Sequence, residues 1–224
     1  MEVKSTEVLN KIEARGSGTL SREKKSKLFS TRGLVMMALF GAVSAVLMLF
    51  EIPIPIIAPP FYKMDLSEVP VLIGSFSLGP AAGVIIELIK ILLKLVIKSS
   101  STAGIGDVAN FLIGCAFVVP AGIIYQRNKT KKGAIVGMVV GIVTMVIAGS
   151  LMNGFVLLPV YAKAFGGMEA IIAAGTAVHG SVDSVFSFVA LCVAPFNILK
   201  GIVVSILTLL LYKRISPIIK KGLG

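Results

Sequence analysis

Histidine occurs once in the 224 residues, cysteine twice and tryptophan not at all. With His179 alone, a multi-histidine metal site cannot be built. Cys115 and Cys192 each lie in an apolar segment without CxxC spacing, so they read as inert buried thiols, neither a redox pair nor metal ligands. The absence of a GxxxxGK(S/T) phosphate loop removes that route to ATP hydrolysis. His179, Ser181, Asp183 and Ser184 are neighbours in sequence, but no GxSxG elbow holds a nucleophile among them. No enzymatic activity, cofactor or metal is expected.

Charge is scarce as well. Charged residues make up 15% and hydrophobic ones 56%, with a mean hydropathy of +0.95. A soluble domain of this length could not hide so much apolar surface. The apolar runs are long, which favours helices over the ten-residue alternation of a barrel. The expected class is an all-α membrane protein.

The net charge of +11 would suit nucleic acid, but its distribution does not. Of the 22 Lys and Arg, eight lie at 4–32, four at 127–132 and four at 213–221. Lys63, Lys98 and Lys163 fall in other connections, and Lys90, Lys94 and Lys200 lie inside apolar runs. These basic blocks flank membrane spans and put both termini and the 127–132 loop on the cytoplasmic side of a multi-pass cell-membrane protein. No nucleic-acid partner is expected, since that requires basic groups interleaved with aromatics on a folded face.

Residues 1–31 are polar and lack an apolar signal core, so they read as a cytoplasmic tail ahead of a membrane domain at 32–224. Six helices are expected in that domain, at 34–50, 67–79, 80–97, 108–125, 133–160 and 182–212. The second is short, capped by Ser67 with Pro70 in its first turn, and must be enclosed by protein. Parity supports six crossings: four join the basic tail to the basic 127–132 loop, and two return the chain to its basic end. The 168–178 piece is too short to cross and is placed outside. Between the first two helices, residues 51–64 carry four prolines, too many for a helix or a central strand. This apolar stretch is expected to lie over the outer end of the bundle as a capping first extracellular loop.

Several polar groups sit where lipid would reject them. Lys200 lies near the middle of an apolar run, three residues after Asn197 and on the same helical side. A charge there costs about 2.5–3.5 kcal/mol on insertion scales unless it faces protein, water or a ligand. The alternative is a lysine snorkelling to the interface, but twelve residues, about 18 Å of helix, separate it from Tyr212. Asn153 is buried in the fifth span and bonds either a neighbouring helix or a ligand. Glu87, Lys90 and Lys94 share one face of the third helix, as an intrahelical ion pair or as ligand contacts. Lys63, Asp65, Glu68, Asp107 and Asn110 gather at the outer rim, mostly as caps and interfacial charges. In the first span, Ala38/Ala42 and Gly41/Ala45 are small residues at spacing four, a face for another helix within the chain or in a partner.

Five segments in order, 62–70, 76–83, 106–111, 153–161 and 195–201, carry a family resemblance. With them the chain from about 31 to 220 resembles the substrate-binding S component of energy-coupling factor (ECF) vitamin transporters, of the riboflavin type. The resemblance implies a six-helix protein that binds riboflavin from outside beneath its first loop, within membrane lipid. It also implies a membrane-embedded coupling subunit and two ATP-binding subunits. Ala38, Ala42 and Ala45 match the face that meets the coupling subunit, and Asn153, Asn197 and Lys200 match residues used on the ligand.

Riboflavin offers a flat apolar ring, a uracil-like edge and a hydroxyl-rich ribityl chain. An amide can pair with that edge through both its functions, and Lys200 can donate to carbonyl or hydroxyl oxygens. Phe61, Tyr62, Met64, Phe111 and Phe155 are expected at the ring, with Lys63, Asp65 and Glu87 completing the ligand set. Two alternatives remain open: another vitamin or nucleobase-like precursor on the same architecture, or a stand-alone secondary transporter with Glu87, Lys90 and Lys200 as an ion path.

Overall fold

A computed structural model of the chain describes residues 29–100, 104–164 and 166–223, with side chains described up to residue 214. The expected tail at 1–31 therefore falls almost wholly outside the described residues. Helix α1 spans Thr31–Leu49, starting earlier than its apolar run because the Ser30 hydroxyl accepts from Gly33 N at 3.3 Å. The Pro-rich stretch that follows is pinned at its ends by two short antiparallel strands, β1 (Ile52–Pro53) and β2 (Lys63–Met64). Two rungs are all the prolines permit.

Helix α2 (Glu68–Leu78) is buried continuously from Glu68 to Phe76, the enclosure its shortness called for. Its cap is a correction. The Ser67 side chain makes no capping bond; instead the Asp65 carboxylate accepts from Ser67 N at 2.8 Å and from the Ser67 hydroxyl. Gly79, at φ +108, turns the chain, and Pro80 opens α3 (Pro80–Ile97). Helix α4 (Ile105–Arg127) and helix α5 (Lys131–Met152) form an antiparallel pair around a short loop, with Thr130 capping Gly133 N.

Beyond α5 the chain takes one π-helical turn, Asn153–Leu157, and then α6 (Leu158–Ala164). Helix α7 (Met168–Thr176) is a short piece of nine residues. Helix α8 (Val185–Phe188) starts at a Ser184/Ser187 capping box, passes through a second π turn, Val189–Val193, and continues as α9 (Ala194–Leu223). Among the described residues, four stretches are long and apolar enough to cross a membrane: Thr31–Leu49, Ile105–Arg127, Lys131–Ala164 and Val185–Arg214.

Helices α4 and α5 approach through glycine. A Cβ on Gly141 would lie 2.6 Å from the Phe117 carbonyl oxygen, and one on Gly137 would lie 2.7 Å from that of Ala121. Thr144 bonds across the same seam to Ala116 O at 2.5 Å. Backbone cannot yield as a side chain can, so Gly141→Leu should force the pair apart and cost about 1–3 kcal/mol, read as a lower unfolding temperature in detergent.

Two apolar clusters fill the bundle. One gathers Leu72, Phe76, Ile86 and Phe117 and ends where Tyr125 donates to, or accepts from, Tyr212 at 3.0 Å between hydroxyls. The other joins Leu158, Phe188, Cys192 and Phe196 to the loop residues Phe61, Tyr62 and Met64. The site lies where the polar side chains separate them.

Candidate ligand-binding site

A cavity of about 390 Å³ is bounded by the loop before α2, by α3 and α4, by the π turn after α5, and by α9. That volume suits a small organic ligand. One wall comes from α5 and α9. Asn153, the first residue of the π turn, donates Nδ2 to Gly149 O at 2.7 Å, and its Oδ1 accepts from Tyr62 OH at 2.6 Å. The tyrosine thereby ties the loop to the wall. Asn197 donates Nδ2 to Val193 O at 2.9 Å. Each amide still holds a donor hydrogen and a carbonyl lone pair for a ligand.

Gly149 makes room for Asn197, because a Cβ there would lie 2.9 Å from Asn197 Nδ2. Gly149→Ala should therefore turn that amide and weaken ligand binding about tenfold, the scale of one displaced hydrogen bond, as measured by equilibrium titration.

Lys200, one turn along α9 from Asn197, places Nζ 3.0 Å from Asp65 Oδ2, and the lysine lines the cavity. Burial alone would raise the Asp65 carboxyl. The ammonium groups of Lys200 and Lys90 and the two Ser67 bonds outweigh it and hold that carboxyl at about 2. Asp65 thus stays ionised across the physiological range.

The opposite wall, from α3 and α4, is built of ion pairs. Lys94 meets Asp107 at 2.5 Å, while Glu51 holds Lys63 at 3.1 Å and Lys98 at 3.3 Å. Behind this wall Lys90, fully buried, bridges Glu68 at 2.8 Å and Glu87 at 2.5 Å.

Of the residues expected at the ligand, Phe61, Tyr62, Lys63, Asp65, Asn153, Asn197 and Lys200 line the cavity. Four do not. Glu87 is fully buried behind the wall against Lys90, in the space Gly114 leaves open. Phe155 is 79% exposed: two residues past Asn153, it points away from the bundle. Met64 pairs with Ile52 in the strand ladder and packs into the second cluster. Phe111, also expected at the ring, is partly buried and off the lining. The small-residue face of α1 splits. Gly41 and Ala45 are buried, Gly41 against Ile89, while Ala38 and Ala42 are exposed, so Ala45 is not on the outward stripe.

The sequence places Glu68, Asp107 and Asn110 at the outer rim, mostly as caps and interfacial charges; in the structure they line the cavity, as do Lys94, Tyr161 and Phe196. For Asp107 the available signal was a lysine and an aspartate facing one another across the short α3–α4 connection. Among the described residues no cluster of three or more His, Cys, Asp or Glu could hold a metal ion.

A bundle of apolar helices enclosing a cavity lined with amides, aromatics and ion pairs defines a membrane protein that binds a small solute. The family model for the ECF transporter, substrate-specific component, matches residues 32–212, and the chain belongs to that family. Members are the solute-binding parts of transporters, not enzymes. The chain is 32% identical over 208 residues to the riboflavin transporter RibU of Staphylococcus aureus (strain TCH60), covering 90% of this chain and all of that one. It is 29% identical over 196 residues to the riboflavin transporter FmnP of Bacillus subtilis (strain 168), covering 84% and 94%. A solved structure reported under "Structure and mechanism of the S component of a bacterial ECF transporter" shares 35% identity with a TM-score of 0.64, covering 84% of this chain and 96% of that one.

Proposed function

We propose that this chain is the riboflavin-binding subunit of an ATP-driven vitamin uptake transporter. In this reading it crosses the cell membrane six times with both termini cytoplasmic. The loop between α1 and α2 covers a site open to the outside, and a coupling subunit with two ATP-binding subunits supplies the energy. The observation that carries the reading is the convergence of Asn153, Asn197 and Lys200 on one cavity beside Tyr62 and Phe196. Two amides with spare donors and acceptors suit the uracil-like edge of a flavin, the aromatic and aliphatic lining suits its ring, and Lys200 suits a carbonyl or hydroxyl oxygen. The similarity to two riboflavin transporters along most of their lengths supports the same ligand.

The test is direct. Protein purified without added ligand should carry flavin absorbance, and the stripped protein should quench riboflavin fluorescence on titration at equimolar ratio. A panel of other vitamins and nucleobases should fail to displace it. A colourless protein that neither quenches nor binds riboflavin would end this assignment.

Transport should need the partners, so liposomes holding this chain alone should not accumulate riboflavin. Ala38 and Ala42 are the exposed small residues of α1 and would meet the coupling subunit. Ala38→Leu with Ala42→Leu should abolish co-purification with that subunit and leave riboflavin affinity within about twofold, because neither residue lines the cavity.

A further inference from the structure

The loop between α1 and α2 is arranged inside out. Its polar side chains from Phe50 to Met64 are Glu51, Tyr62 and Lys63, and all three line the cavity. What it presents outward is apolar. Phe50 is 70% exposed, Ile52 65% and Ile56 82%, with Pro53 and Pro55 exposed among them. A loop that faces water turns its charges out and its isoleucines in. Large apolar side chains left uncovered together mark a surface that meets something apolar.

The backbone fits the same setting. Pro53, Pro55, Pro59 and Pro60 carry no N–H. The N–H groups of Ile57 and Ala58 bond to Ile54 O at 3.0 and 3.2 Å, and that of Tyr62 bonds to Pro59 O at 2.8 Å. Irregular backbone is kept out of lipid by its unsatisfied polar groups. In this loop proline removes four donors and internal bonds take up three more.

Continuity says what covers the face. Leu39, Val43, Val46 and Phe50 follow one another at spacings of four, three and four along the exposed side of α1, a helix long and apolar enough to cross a membrane. Phe50 ends that helix, with its N–H on Leu47 O at 3.2 Å, and Ile52 comes two residues later. The apolar stripe of α1 runs directly into the outward face of the loop.

We propose that Phe50, Ile52 and Ile56 seat this loop in the bilayer, at the boundary between headgroups and acyl chains, so that its outward face is a membrane-binding surface. Which leaflet receives it, the outer one, rests on the topology proposed above; the insertion itself does not. No charge has to enter lipid, because Glu51 stays on the cavity side with Lys63 at 3.1 Å and Lys98 at 3.3 Å. Irregular backbone at this depth still reaches water with its remaining carbonyls, as it could not in the hydrocarbon core.

The sequence holds no tryptophan, so a single introduced indole reports only its own surroundings. The test places Ile56→Trp and, as a second probe, Ile52→Trp in the full chain, freed of ligand, in phosphatidylcholine nanodiscs. Val143→Trp, on the exposed side of α5, is the lipid benchmark, and Lys129→Trp, in the loop between α4 and α5, is the water benchmark. Both loop probes should emit to the blue of Lys129→Trp and be shielded from iodide. They should lose intensity, as Val143→Trp does, to lipid brominated near the headgroup end of its chains. Emission as red as that of Lys129→Trp, quenched by iodide and untouched by brominated lipid, would overturn the proposal, since the face would then stand in water. Blue emission that ignores brominated lipid and appears only with two chains in a disc would also overturn it, because a second copy would be the cover. The same samples are titrated with riboflavin. Lipid contact without flavin binding would leave this surface standing and end the functional reading; flavin binding with probes in water would do the reverse.

Discussion

Lys200→Ala should reduce riboflavin affinity by about 100-fold or more, the scale expected when one partner of a buried, hydrogen-bonded charge pair is removed. An ammonium has three donors. Asp65 takes one at 3.0 Å, which leaves two for the cavity that Lys200 lines. Truncation removes those donors and also strands Asp65, only 5% exposed, beside an apolar stub. Affinity and stability should therefore fall together, with stability lower by about 3–5 kcal/mol. The two effects can be separated. In Asp65→Asn with Lys200→Met, no buried charge is left unpaired, so the unfolding temperature should return toward that of the unaltered chain. Binding should stay lost, because the donors are still missing. If that double variant bound riboflavin normally, Lys200 would be a structural counter-ion for Asp65 and nothing more.

The architecture followed from local chemistry. Gly79-Pro80 separates α2 from α3, and the length of α2 foretold its burial; the Ser30 and Thr130 caps, also local, start α1 and α5 earlier than their apolar runs suggest. The partners of the site residues did not follow. Lys200 meets Asp65 across 135 residues, and Tyr62 meets Asn153 across 91, so neither pairing has a spacing to betray it. The two π turns carry no residue signature and arise from packing. Phe155 was a different kind of miss. On a helix two residues is about 200° of rotation, so a position two past an inward-facing Asn153 was bound to face outward. For Glu87 the spacing left two readings open, an ion pair with Lys90 or a ligand contact; the structure shows the ion pair, buried behind the wall, and helical spacing does not say how deep a face lies.

The largest loss of stability should come from Lys90→Met. Lys90 is fully buried and is the cation on which Glu68, from α2, and Glu87, from its own helix, both close. Glu87 has no hydrogen-bond donor besides this ion pair, and Glu68 has one oxygen unpartnered even with Lys90 present. Removing the amine leaves two buried carboxylates near one another. Breaking one buried pair costs about 3–5 kcal/mol, and here two are broken at once, against a total stability for most proteins of about 5–15 kcal/mol. The variant should accumulate poorly in the membrane and unfold in detergent well below the unaltered chain. Its repair separates charge from packing. Adding Glu87→Gln and Glu68→Gln to Lys90→Met removes every stranded charge while keeping nearly the same volume, and should recover most of the lost thermal stability, as replacing a whole buried ionic group often does. The repaired protein should not regain full riboflavin affinity, because Glu68 lines the cavity and its carboxylate is now an amide. A triple variant as unstable as Lys90→Met alone would mean that the lysine stem, wedged between α2 and α3, stabilises the bundle by its shape and not by its charge.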